Sequence, residues 1–288
     1  MLHSLLKGIT DMSTKFHETA KDHIIIVAHR GVAGGNIPCN TRASYEIALK
    51  QGADMLETDI SRTGDGTLVI FHPSMERIHL RTDKNIPEST DEEVAKMRFC
   101  NYDSNPTQFG LMRFDELLDT YNGRCYLNID KFWDNPEQIY YEIKKKGMID
   151  QCLVKSTLKD NVLDVLEKIA PDIPFLPIVS ETHPRHEELM ERNINYIGAE
   201  VLFKTDESPV CSDEFIAKMH ADGKLVWVNS IIYNYKAQLA AGHSDDTALT
   251  ESEEKGWGWL ADKGFDFIQT DWPQMLIGYL KSSGKYNR

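Results

Sequence analysis

The stretch Ala53-Asp-Met-Leu-Glu-Thr-Asp-Ile-Ser-Arg-Thr-Gly-Asp-Gly-Thr-Leu-Val-Ile-Phe-His72 holds two apolar runs, 54–59 and 68–72, joined through Thr63-Gly-Asp-Gly66. A connection this short cannot make the crossover of a dozen or more residues that parallel strands need. Asp-Gly is instead a tight-hairpin signal. Residues 60–72 are therefore expected to rise from one strand and return antiparallel, bringing His72 back beside Glu57 and Asp59. Further apolar runs predict strands at 24–28, 124–129, 151–155, 174–179, 195–201, 224–229 and 266–270. Helical periodicity falls between most of them, at 41–51, 114–121, 136–146, 159–170, 185–192 and 213–221. Strand–helix alternation implies a parallel sheet. With the hairpin set aside, eight parallel strands remain, the pattern of an α/β protein of the (β/α)8 TIM-barrel type, a fold that takes about 250 residues.

The chain has 288 residues and is expected to form a single catalytic domain. Residues 1–22 are read as an N-terminal helical extension and 60–112 as an insertion over the barrel mouth. The non-periodic segments 73–112 and 230–252 are expected to be loops on the catalytic face. A hydrophobic content of 41% and a charged content of 27% are ordinary for a globular enzyme. The net charge of −13 argues against a general nucleic-acid surface, which needs clustered Lys and Arg. Five dispersed cysteines, Cys39, Cys100, Cys125, Cys152 and Cys211, show no CxxC spacing. They indicate neither a disulfide framework nor a zinc knuckle, and fit a reducing compartment. Without a visible leader or an apolar run of about 18 residues, a cytoplasmic location and no membrane insertion are expected.

Residues two apart on a strand point to one face. Glu57 and Asp59 can thus offer hard oxygen ligands to one divalent cation, Mg²⁺ or Ca²⁺, and the lack of a His/Cys cluster argues against zinc. His29, in His29-Arg-Gly31 after the strand 24–28, and His72 are the candidate general acid and base. Arg30 carries a planar fork suited to phosphate oxygens, or to the carboxylates behind the site.

The chain resembles the glycerophosphodiester phosphodiesterases. The matching runs are His29-Arg-Gly31, Pro38-Cys-Asn-Thr41, Gly52-Ala-Asp-Met-Leu-Glu-Thr-Asp59, Thr63-Gly-Asp-Gly66, His72, Leu127-Asn-Ile-Asp130, Trp227-Val-Asn229 and Gln269-Thr-Asp-Trp-Pro273. The likeness is strong over 24–83, moderate over 111–131 and 224–277, and confined to the alternation of elements between about 140 and 222. It implies a metal-dependent (β/α)8 hydrolase that cleaves small glycerophosphodiesters to glycerol 3-phosphate and an alcohol. The nucleophile would be the neighbouring glycerol hydroxyl or water. The third metal ligand would be Asp130, where the family usually has glutamate.

Two other departures stand out. The family commonly has lysine two residues after the third acidic ligand, where this chain has Phe132; Lys131 comes one residue early and, on an alternating strand, would face the other way. Lys155 is the candidate to supply that charge from the next strand. Cys39 replaces the glutamate of the family's Pro-Glu-Asn-Thr and, with no base beside it in sequence, is not expected to be a nucleophile. Trp227 and Trp272 are candidates for an apolar wall against the substrate, and His243 lies in a loop that could fold over it. His183, His186 and His220 are read as solvated or structural. Two alternatives stay open. One is an impaired barrel that binds phosphodiesters or regulates. The other is a lysophospholipase D-like relative, which the polar residues of 230–252 disfavour.

Overall fold

The computed structural model describes residues 15–287. Among them nine strands form: β1 (Ile25–Ala28), β2 (Met55–Arg62), β3 (Leu68–Ile70), β4 (Tyr126–Asp130), β5 (Cys152–Ser156), β6 (Phe175–Ser180), β7 (Gly198–Leu202), β8 (Leu225–Asn229) and β9 (Phe267–Thr270). All except β3 pair in parallel, and β1 hydrogen-bonds to both β2 and β9, so the eight parallel strands close into a barrel. Helices follow most strands and pack on the outside, as the alternation predicts. The expected strand limits move by only a few residues. No helix among the described residues is long and apolar enough to cross a membrane.

The hairpin forms as the Asp-Gly turn requires. β2 runs eight residues to Arg62 and pairs antiparallel with β3. The turn closes through the Thr63 N–H donating to Thr67 O at 2.9 Å, with Gly66 at φ +100°, a value that favours glycine. The rest of the insertion is better organised than a loop. Val69, Phe71, Leu80, Ile86, Val94 and Phe99 form a small core of their own, with short helices at Glu76–His79 and Asp91–Lys96. Helices of four and six residues are too short to show a helical period, which is why the sequence reads as irregular there.

Inside the barrel, alternate residues build layers. The lower layers are apolar: Ile25, Val27, Met55, Leu153, Leu176, Leu225, Trp227 and Phe267 form one buried cluster. Phe16, on the helix Lys15–Asp22, is fully buried and closes the bottom against Tyr126 and Phe267. Truncating such a buried ring to alanine costs about 3–5 kcal/mol, so this helix is part of the barrel's stability. It is the described part of the expected extension; residues 1–14 lie outside the described residues. Above this floor the next inward residues on β2, β4, β5, β7 and β8 are Glu57, Asn128, Lys155, Glu200 and Asn229, all buried and all polar. That change of character marks the C-terminal end of the strands, where barrel enzymes place their sites.

Candidate active site

Asp59 and Asp130 are register partners on β2 and β4, and Glu57 sits one inward position below Asp59. One carboxylate oxygen from each of the three lies within 4.8 Å of the others. Burial acts differently on Glu57 and Asp130. It pushes the Glu57 carboxyl up to about 7, with the Asp59 charge adding to the effect. Asp130 is equally desolvated, but Lys131 and Lys155 outweigh that and hold it below the usual range.

The loop after β1 supplies the flanking groups. Gly31 has φ +76°, and a Cβ there would stand 2.7 Å from the Ser44 backbone, so only glycine lets the chain turn against the helix Arg42–Lys50. The turn aims the Arg30 N–H at Glu57 Oε2, 3.0 Å away. Arg30 Nε lies 3.0 Å from Asp59 Oδ2, yet its N–H finds no aligned acceptor, so the contact is an ion pair rather than a hydrogen bond. Asn40 donates from Nδ2 to the same Asp59 oxygen at 2.9 Å and is itself held by the Tyr45 hydroxyl at 2.8 Å. Asp59 Oδ1 is left buried without a hydrogen bond.

The two histidines are oriented by different partners. His29 Nδ1 donates to Asp271 Oδ1 at 2.9 Å. Burial opposes the imidazolium, but the Asp271 hydrogen bond and the Glu57 charge prevail, so the His29 pKa is raised. His72 Nδ1 donates to the Pro73 carbonyl at 2.8 Å, and its Nε2 lies 3.9 Å from Asp59 Oδ1. Burial lowers the His72 pKa, outweighing the pull of Asp59. His29, Arg30, Cys39, Asp271, Trp272 and Met275 border a cleft of about 510 Å³. Cys39 is a thiol, pushed up to about 11 by burial.

Sequence reasoning overlooked four members of this arrangement. Asp271, beyond β9, meets His29 across 242 residues. Asn40 was visible only as part of a motif. Glu200 on β7 pairs with Lys155 at 2.8 Å and accepts from Asn229 Nδ2 at 2.6 Å. Asp245 is buried, its Oδ1 accepting from Ser230, Thr270 and the Trp257 indole while its Oδ2 accepts the Asp271 N–H at 2.8 Å. It thereby fixes the backbone that presents Asp271.

Other expectations need correction. Lys131 does face the mouth: the strand ends at Asp130, and Lys131 adopts φ +63°, which turns its side chain back onto Asp130 and within 3.7 Å of Asp59 Oδ1. Phe132 goes into the core. Lys155 is buried against Glu200, with the Trp227 ring 4.1 Å below its ammonium. Trp227 is therefore no substrate wall: it is fully buried, stacked on Phe267, and supports Lys155 from beneath. Trp272 stays half exposed on the cleft. His243 is fastened elsewhere, by Asp206 at 2.8 Å and by stacking on Trp259 at 3.8 Å. His186 takes the structural one of its two expected roles, buried between Tyr196 and Asp222. Tyr233 and Tyr235 stand exposed on the segment read as polar.

Comparison with known proteins bears on the sequence and the fold as a whole. A glycerophosphodiester phosphodiesterase of Bacillus subtilis is 43% identical over 190 residues, 58% of this chain. The chain resembles the glycerophosphodiester phosphodiesterases in sequence and in fold. It spans 63% of that relative's length. A second Bacillus subtilis protein, the uncharacterised YqiK, is 26% identical over 266 residues, 89% of this chain and 98% of that protein. Residues 175–280 match a domain family of unknown function. Among solved structures, a glycerophosphoryl diester phosphodiesterase from Parabacteroides distasonis superposes with a TM-score of 0.75 at 20% identity, over 91% of this chain and 88% of its own. A phosphodiesterase from Oleispira antarctica, solved with the product sn-glycerol-3-phosphate, gives 0.67 at 19% identity, over 90% and 97%. At such identities the structures speak for the fold, the TIM-type barrel described above.

Proposed function

We propose that this protein is a divalent-cation-dependent phosphodiesterase that hydrolyses glycerophosphodiesters to glycerol 3-phosphate and an alcohol. The observation carrying this reading is the meeting of Glu57, Asp59 and Asp130 at the catalytic end of the barrel with His29 and His72 beside them. The donor set suits the ion: it is all carboxylate oxygen, and Asp59 Oδ1 is buried with no hydrogen bond. When bound, Mg²⁺ or Ca²⁺ would neutralise charge on a non-bridging phosphate oxygen and polarise the phosphorus.

The remaining work falls to side chains of this chain. Arg30 and Lys131 bring positive charge to the phosphate. His72 is neutral near pH 7 and has committed Nδ1–H to Pro73, so Nε2 holds the lone pair that takes a proton from the attacking hydroxyl. That hydroxyl belongs either to the substrate glycerol, giving a cyclic phosphate that water then opens, or to water directly. His29, whose pKa is raised by Asp271 and Glu57 against its burial, gives its proton to the departing alkoxide. The product held by the Oleispira antarctica phosphodiesterase supports glycerol 3-phosphate as the shared part of the substrate.

Hydrolysis of a panel of glycerophosphodiesters, with and without chelator, tests the proposal. Chelator should abolish turnover, and His72→Ala should lower it by at least ~10²-fold. Full activity in either case refutes the mechanism. Because Tyr233 and Tyr235 are exposed on the segment after β8, a lysophospholipid belongs in the panel; preference for it would favour the lysophospholipase D-like reading. Stoichiometric binding of a diester without turnover would favour a binding protein.

A further inference from the structure

The end of β4 is unusual. Lys131 holds a left-handed backbone, a conformation that a residue with a side chain keeps only where its surroundings demand it. What this conformation achieves is local. Asp130 stays at the barrel mouth, Phe132 fills the core, and the Lys131 side chain folds back over the acidic group instead of leaving the barrel. Its ammonium pairs with Asp130 Oδ2, stands 3.7 Å from Asp59 Oδ1 and lies 5.4 Å from the centre of the Trp133 ring.

The two oxygens of Asp59 have separate duties. Oδ2 is engaged by Arg30 and Asn40. Oδ1 has no hydrogen bond and faces Lys131 and His72. Asp59 Oδ1 is thus open to a hard cation, Asp130 lies in the same group of three carboxylates, and the Lys131 ammonium approaches both Asp59 Oδ1 and Asp130 Oδ2. A divalent ion and an ammonium cannot neutralise the same two oxygens together, since both would lie within a few ångströms of each other in a partly desolvated site.

Building on the cation site proposed above, we propose that Lys131 is an internal counter-ion of the Glu57–Asp59–Asp130 group that the incoming cation displaces, so that Lys131 sets the affinity for the cation. Asp130 fits this role. Being one methylene shorter than glutamate, its carboxylate stays close to its own strand end, where the next residue can reach it. The positive charge is then held over the acidic group until a cation arrives, and is released at the mouth beside the position of the anionic phosphate.

Calorimetric titration of Ca²⁺ and of Mg²⁺ onto the full chain and onto Lys131→Met, with Lys131→Gln as a second variant, reads the competition directly. Removing the ammonium should tighten cation binding by about tenfold or more. Trp133 gives a readout independent of activity. Cation binding should change its fluorescence in the wild type as the ammonium leaves the ring, and this change should be missing in Trp133→Phe and in Lys131→Met. Equal or weaker binding by both Lys131 variants overturns the proposal while leaving the cation site standing. So does tighter binding without any Trp133 response, because a charge acting only from a distance would give that result. Absence of cation binding in wild type and variants alike overturns the cation site as well.

Discussion

Removing the carboxylate of Asp271 should slow the reaction without weakening substrate binding. Asp271 lies at the border of the cleft and is committed to His29, its hydrogen bond to Nδ1 being 2.9 Å long. A hydrogen bond to a charged group contributes about 1.5–3 kcal/mol. The Asp271 side chain is 51% exposed, so solvent screens roughly half of that, leaving about 0.8–1.5 kcal/mol. If His29 must be protonated and correctly turned in the transition state, this energy appears in kcat as a loss of roughly 5–10-fold for Asp271→Ala. KM should be unchanged. The pH profile adds a sign. The His29 pKa is raised against its burial by Asp271 and Glu57, so without Asp271 burial gains and the pKa falls. A general acid is lost as pH rises through its pKa, so the alkaline limb of the kcat profile should move to lower pH in Asp271→Ala. Asp271→Asn keeps an acceptor and loses the charge, and should lie between the two. Steady-state kinetics across pH on the three proteins decides the matter: an unchanged kcat with an unmoved alkaline limb refutes the pairing, and a rise in KM alone places Asp271 on the substrate.

Asp245→Ala should be structural in its effect, leaving the donors of Ser230, Thr270, Trp257 and the Asp271 backbone unsatisfied in a buried place; a loss of about 3–5 kcal/mol is expected from urea unfolding, and a loss under 1 kcal/mol would contradict the hub. His183 gives a pH-dependent stability term. Burial, with the charges of His186 and Lys218, lowers its pKa to about 4 from the usual 6.5. The unfolded chain therefore binds the proton that the folded chain refuses between those values, so stability falls as pH drops from 6.5 toward 4, by on the order of 3 kcal/mol at most. His183→Gln should flatten the acid side of the stability curve relative to wild type, and parallel curves would refute the assignment.

What the sequence made legible was whatever follows from period and spacing along one element. The hairpin was readable because the segment between two strands was too short for any other connection, and the eight-strand barrel followed from it. Glu57 and Asp59 were readable because a strand alternates. Lys131 shows where that rule stops. Alternation holds only while the strand lasts, and β4 ends at Asp130, so the next side chain obeys a left-handed turn that no periodicity announces. The insertion core was hidden for a related reason, its helices being shorter than the period used to recognise a helix.

The groups that tune the site were the least legible, because each acts across the barrel. Asp271 reaches His29, Glu200 on β7 neutralises Lys155 on β5, and Asp245 sits in an acidic pair, Asp245-Asp246, that reads as a solvated face. Only closure of the sheet through β1 and β9 makes His29 and Asp271 neighbours. The same closure explains why the site tolerates so much buried charge. Arg30 and Lys131 offset Asp59 and Asp130, Glu200 offsets Lys155, and Asp271 supports the charge on His29. Glu57 is held mainly by the Arg30 backbone N–H and is the carboxyl whose pKa rises to about 7. A divalent cation would therefore supply charge beside Glu57, where the chain's own cations do least, and would contend with Lys131 at the unbonded oxygen of Asp59.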